Sequence, residues 1–334
     1  MKYFDIKKQN NFNEALDYAA KTIQQGGIVA FPTETVYGLG ADAQNEEAIK
    51  KIYDAKGRQS DNPLIVHIAN KNDLVKIAKD IPDWVHILTD KYWPGPLSIV
   101  LKKQEFISDV VTAGLDSVAI RMPDNIVALE LIKRSGRFIA APSANKSGKP
   151  SPTKAEHVFN DLHDSVDVIL DYDNVSIGLE STVIDGRGKY PVVLRPGAVT
   201  IEMLKESVGS AGKAKNIVVG AALSPGMKYT HYKPNAKVLI VTGTVREMAK
   251  KIEQVYTTNK NIALFSSEEL ANRINIKNKI TYKNSSMAAN LFYDSLRAFD
   301  KQNVELILCQ EFEDSGIGAA IMNRLKKAAG NQYL

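Results

Sequence analysis

NFNEALDYAAKTIQQGGIVAF, residues 11 to 31, sets a helix directly before a strand. Apolar residues at 12, 15, 16, 19, 20 and 23 follow the spacing of one helical face, with Asn11 as a start signal and Gly26 and Gly27 as stops. GIVAF is then a short apolar run that reads as a buried strand. Working outward, the alternation continues. Helices are expected near 45–55, 72–79, 83–91, 125–135 and 153–163. Strands are expected at 64–68 and 97–102 and in SVAIRM, RFIAA, VDVIL, STVID and PVVLR. Interleaved helices and strands predict an α/β fold, and the hairpin-length gaps late in this half make its sheet mixed rather than wholly parallel.

The chain has 334 residues, too many for one ordinary core, so two domains are expected. Residues 207 to 235 break the pattern with four glycines followed by SPGMKYTHYKP, which predicts a linker or a lid. After it, KVLIV, a helix, NIALF, a helix, a helix near 285–300, VELILC and a last helix from about 318 form a smaller unit. Its alternation is that of a Rossmann-like parallel α/β domain. The expected division is 1–206, a 207–235 linker, and 236–334. VTGTVRE and GIGAA carry glycines, but neither completes GxGxxG, so no dinucleotide site is read there.

Charge narrows the function. The net charge of +5 is concentrated late: residues 1–206 hold 25 basic and 28 acidic residues, while 207–235 hold four lysines and no acid. The first domain is therefore no basic coat for nucleic acid, and any anion site in it is local. Cys309 is the one cysteine, which excludes an internal disulfide and a thiolate metal cage and fits a cytoplasmic chain. No apolar stretch reaches the roughly 18 residues of a membrane span. The five histidines lack HxxxH spacing, GxxxxGK[ST] is absent, and no GxSxG elbow offers a nucleophile. HVFNDLH reads as a helical surface.

Four polar clusters sit where strands run into turns, the usual place for ligands in α/β sheets. FPTETVYGLG (31–40) has a proline turn with two threonines, KGRQSDNPLIVHIAN (56–70) sets Lys56 and Arg58 in a turn, and SVAIRMPD ends a strand on Arg121. APSANKSGKPSPT (141–153) is a run of small polar residues whose backbone N–H groups suit an anion. Taken singly, each has an ordinary structural reading: a capped turn, solvated cations, a salt bridge, a connecting loop.

Together these segments, with GLESTVID and LRPG, resemble in order and spacing the YrdC-like threonylcarbamoyl-AMP synthases over about residues 10 to 206. SPGMKYTHYKP and GIGAAIMNRLKKAA resemble the long form with an extra C-terminal domain. Departures are Gln59, where proline is frequent, and Lys146, where an apolar residue is frequent. The resemblance implies an enzyme that joins L-threonine, bicarbonate (or CO2) and ATP, with Mg2+, into threonylcarbamoyl-AMP and pyrophosphate. A separate tRNA threonylcarbamoyl transferase complex would then modify position 37 of tRNA, so tRNA is an indirect partner. Lys56, Arg58, Ser143 and Asn145 would form the catalytic phosphate-binding set. Asn62, Ser117, Ser151 and Arg195 would contact nucleotide. Thr35, His67, Arg121, the Ala141 backbone and Ser181 would hold threonine. Tyr232 would belong to an active-site cover, so that truncation before Ser224 impairs synthesis while the first domain still folds. No carboxylate pair stands out as a metal cage. The rival reading is a tRNA- or double-stranded-RNA-binding module, which would also place cations around a loop.

Overall fold

The computed structural model describes residues 1–9, 11–214 and 232–334. The lid expectation and the Ser224 truncation point therefore lie outside the described residues, as does most of 207–235. The described chain packs as two compact units.

The first unit is built on twelve strands: β1 Lys2–Asp5, β2 Val29–Phe31, β3 Gly38–Asp42, β4 Ile65–His67, β5 Ala78–Lys79, β6 Leu97–Lys103, β7 Ser117–Arg121, β8 Ile139–Ala141, β9 Val168–Asp171, β10 Thr182–Asp185, β11 Val192–Arg195 and β12 Gly212–Lys213. Their order across the sheet is β1-β9-β2-β3-β8-β4-β7-β6-β10-β11-β12, with β5 beside β6. Pairing is mixed: β4 runs parallel to β7 and antiparallel to β8, and β6 runs parallel to β10 and antiparallel to β7. The mixed sheet read from the sequence is present.

The opening helix forms as its spacing dictates. It spans Phe12–Gln24 and buries Ala15, Leu16, Ala19, Ala20 and Ile23. Burying Leu16 and Ile23 contributes roughly 1.5–3 kcal/mol each. The helix Glu46–Lys56 starts on Asn45, whose side chain accepts from Ala48 N, and stops at Gly57 in the left-handed region at φ 59°. That stop fixes where Lys56 and Arg58 point.

Strand β3 was not legible as a strand, because GLGAD is poor in strand-forming residues. Its glycines are needed for space. A Cβ on Gly40 would lie 2.5 Å from Ile139 Cγ2 and 2.7 Å from the Phe31 ring. Strand β1, the helix Ile201–Val208 and strand β12 are further elements the pattern reading did not identify. His157, read as surface, is buried; its Nδ1 accepts from Thr153 N at 3.2 Å, so it closes a helix start.

The second unit holds β13 Lys237–Val241, β14 Ile262–Ser267, β15 Asn278–Tyr282 and β16 Leu306–Gln310, in the order β13-β16-β14-β15 with every pair parallel. β15 was missed: NKITY carries polar residues and lies half-exposed at the sheet edge. The glycine turn VTGTVRE serves as a helix start, where Thr244 and Glu247 form a capping box on the helix Val245–Thr258.

Candidate active site

The first unit's sheet has two unlike faces. One is continuous core, with Ala30, Leu39, Val66, Ile99, Ile120, Ala140 and Ile184 packed together. On the other face side chains alternate out of register with these, as the pleat requires. There, Ile65 pairs with Ala119 and Ala141, and Val100 pairs with Ala119. Ile65, Val100, Ala119 and Val183 make a small separate apolar cluster.

A polar row lies beside that cluster. His67 pairs with Arg121 across β4 and β7. The Ser98 and Ser181 hydroxyls are 2.7 Å apart. Arg195 Nε and Nη2 donate to the Ser181 carbonyl at 3.1 and 3.0 Å, and Nη2 also donates to Ser181 Oγ at 3.2 Å. All five residues are buried. Four of the positions expected to touch substrate thus come together on one face, His67, Arg121 and Arg195 from the ends of β4, β7 and β11 and Ser181 from the residue just before β10. Ser98 joins them and was not foreseen; its signal would have been a lone hydroxyl inside an apolar strand.

The loops over this face are tied together by the backbone. Tyr37 N donates to Pro152 O, Leu39 N to Pro142 O, and Ala144 N to Tyr37 O, while Gly38 and Ser143 bridge. These bonds fasten the FPTET turn to the APSANKSGKPSPT loop. Within the turn, Thr33 Oγ1 is 2.9 Å from Thr35 Oγ1 and donates to Val36 O at 2.6 Å, so the hydroxyl-capped turn is also real. Ala141 closes β8, two residues before Ser143.

Lys56 is buried, against the usual rule for lysine. Its ammonium donates to the carbonyls of Ser143 and Asn145, each at 2.5 Å. Ser143 Oγ donates to Asn145 Oδ1 at 2.6 Å. Arg58 braces its own turn, with Nε and Nη2 on Asn62 O at 3.3 and 3.2 Å and Nη2 on Pro63 O at 3.1 Å. Lys56, Ser143 and Asn145 therefore form one hydrogen-bonded set that joins residues 87 and 89 positions apart in the chain, while Arg58 holds the carbonyls of its own turn.

Among the described residues, Asn62 Oδ1 and Ser117 Oγ are buried without a hydrogen-bond partner. Native proteins seldom leave such atoms orphaned unless something else fills the position. Ser117 opens β7 and Arg121 closes it, four residues or roughly 13 Å apart along one face. Ser151 Oγ donates to the buried Glu180 at 2.5 Å. Tyr232 is a residue of the second unit; its ring packs on Tyr293 with centroids 5.2 Å apart.

Charge on the polar row is set by burial. His67 is held down to about pKa 3, first because burial penalises its charged form and then because Arg121 stands beside it; contacts with the Ile65 and Ile139 carbonyls oppose the shift. Its Nδ1 lies 3.1 Å from Ile65 O and its ring meets Phe31 edge-on. The imidazole is therefore neutral at physiological pH. Among the described residues, no group of three His, Cys, Asp or Glu side chains converges to hold a metal ion.

The family model described as telomere recombination, covering Sua5, YciO and YrdC, matches residues 21–197. The model described as threonylcarbamoyl-AMP synthase, C-terminal domain, matches residues 199–330. A threonylcarbamoyl-AMP synthase of Bacillus subtilis (strain 168) is 43% identical over 99% of this chain and 98% of its own. One of Pyrococcus abyssi (strain GE5 / Orsay) is 44% identical over 95% of this chain and 94% of its own. A crystal structure of P. abyssi Sua5 complexed with L-threonine has a TM-score of 0.90 and 42% identity, covering 96% of this chain and 95% of that one. With its first unit carrying the mixed sheet and its second the parallel one, this chain belongs to the threonylcarbamoyl-AMP synthase family, in the form with both the YrdC-like and the Sua5 C-terminal domain.

Proposed function

We propose that this protein makes L-threonylcarbamoyl-AMP from L-threonine, bicarbonate or CO2, and ATP, and releases pyrophosphate. The observation that carries the reading is the connection of Lys56, Ser143 and Asn145 at one part of a face whose other end holds Arg121, His67 and Ser181. An anion site and an amino acid site then share a single wall of the sheet.

In this reading Ser117 and Asn62 meet the nucleoside, the orphaned Oδ1 and Oγ atoms gaining partners from it. Ser151 and Arg195 support the nucleotide, and Lys56, Arg58, Ser143 and Asn145 surround its phosphates. Arg121 offers its planar fork to the amino acid carboxylate, with Thr35, His67, the Ala141 backbone and Ser181 closing around the rest. Neutral His67 serves as a hydrogen-bonding wall rather than as a charge.

The neutral threonine amine adds to CO2 with loss of a proton, or to bicarbonate with loss of water, to form a carbamate. A carbamate oxygen attacks the α-phosphorus in line, and pyrophosphate departs as that P–O bond breaks. The protein supplies position and fixed positive charge rather than a nucleophile. Without a converging carboxylate cluster among the described residues, Mg2+ would be carried on phosphate oxygens and water.

Placed in the cytoplasm, the product would feed a tRNA threonylcarbamoyl transferase complex acting at position 37. The RNA-module alternative gains nothing from the geometry, since Lys56 and Arg121 are buried and bonded inward. Pyrophosphate release from ATP is the test. It should require both L-threonine and bicarbonate and no RNA; release independent of threonine, or tight RNA binding without turnover, would overturn the reading.

A further inference from the structure

Glu34 stands out among the residues around the polar row. It is a buried acid, 7% exposed, in the FPTET turn of a pocket otherwise suited to anions. Its Oε2 lies 2.7 Å from Arg121 Nη2, close enough for an ion pair. Beyond that ion pair, Oε1, Oε2 and Arg121 Nη2 have no hydrogen-bond partner among the described residues and are shielded from solvent. A carboxylate can accept about four hydrogen bonds, and a buried one left without any is costly unless a donor arrives.

Charge balance identifies the donor. Arg121 also donates through Nε to Gly95 O at 3.3 Å, so its fork is anchored and one cation serves Glu34. When a substrate carboxylate takes Arg121, as the proposed function has it, two buried carboxylates would share a single guanidinium. Like charges that close are strongly unfavourable at low dielectric. A zwitterion removes the conflict, because its ammonium restores neutrality and brings three N–H donors to the unpartnered oxygens. A simple carboxylic acid does not.

We propose that the Glu34 carboxylate receives the α-ammonium group of the amino acid substrate, so that Glu34 and Arg121 together read the two charges of a zwitterion. This rests on the synthase reading above and adds to it a substrate-contacting residue that sets specificity for amino acids over hydroxy acids.

The test is titration calorimetry on the full chain with L-threonine and with its 2-hydroxy analogue, 2,3-dihydroxybutanoate of matching configuration. The wild type should prefer threonine by about 100-fold, since a charge-assisted pair is lost with the analogue. Glu34→Gln should reduce that preference to less than about tenfold while ATP affinity stays within about twofold. Glu34→Asp, which keeps the charge on a shorter arm, should restore part of the preference. A wild type that binds both ligands within about threefold, or a Glu34→Gln variant that keeps full preference, would overturn the assignment. So would equal loss of both ligands in Glu34→Gln, the mark of a merely structural role. The wild-type comparison stands even if Glu34→Gln fails to fold. Complete absence of threonine binding in the wild type would instead sink the synthase reading itself.

Discussion

His67 and Arg121 are paired residue to residue across the parallel strands β4 and β7, a buried imidazole beside a buried guanidinium. Burial and that neighbour depress the imidazole to about pKa 3, against an ordinary value near 6.5. The unfolded chain therefore binds a proton at this site below about pH 6.5 that the folded chain refuses until about pH 3. Stability from this site is complete above pH 6.5 and is lost as pH falls through that window, by at most about 1.4 kcal/mol per pH unit. Denaturant titrations of wild type and His67→Asn between pH 4 and pH 7 should show the shallower slope in the variant. Equal slopes would mean that the histidine is not held neutral.

Lys56 carries a different burden. Its ammonium holds the Ser143 and Asn145 carbonyls, and a Lys56→Met change would leave both buried acceptors without it. A loss of roughly 1–3 kcal/mol in stability is expected from the loss of these two charge-assisted bonds. Activity should fall further than stability explains, by about 100-fold or more, as when one fixed charge-stabilising donor is removed. Pyrophosphate release measured below the melting transition separates the two effects. A variant with lowered stability and full activity would reduce Lys56 to a structural clamp.

The residues show why some of this was legible in sequence and some was not. Strands such as SVAIR and helices such as Phe12–Gln24 were readable because one apolar period dominates each. GLGAD was hidden, since its glycines exist to admit Phe31 and Ile139 and propensity works against them. NKITY was hidden for another reason: a half-exposed edge strand has no continuous apolar signal. Lys56 reads as a solvated helix end until Ser143 arrives from 87 residues away. Glu34 had no reason to matter until Arg121 stood beside it. Local pattern thus reveals elements, while buried charge needs the partner that folding brings.

Gly40 tests the packing claim without touching the substrate row. Gly40→Ala would push a methyl carbon to 2.5 Å from Ile139 Cγ2 and 2.7 Å from the Phe31 ring. Overpacking of this kind costs about 1–3 kcal/mol. Gly57→Ala meets nothing within 4 Å, and its cost comes from the backbone alone, at φ 59°. That strain is on the order of 1–2 kcal/mol. A Phe31→Leu change should relieve part of the Gly40→Ala loss and none of the Gly57→Ala loss. Thermal melts of the three single variants and both double variants check this, and an absence of rescue at Gly40 would discount the ring contact.

Arg121 is where geometry and charge can be separated. Arg121→Lys keeps the positive charge near Glu34 but loses the planar fork, and a lysine cannot hold the Gly95 carbonyl and a carboxylate with the same fixed geometry. KM for L-threonine should rise by about tenfold or more, while KM for ATP changes less, because Asn62 and Ser117, which the proposed function assigns to the nucleotide, lie toward the opposite end of the β4 and β7 strands. Initial rates with each substrate varied in turn give the split. Equal rises in both constants would place Arg121 in general support of the sheet, and an unchanged KM for threonine would remove it from the amino acid site.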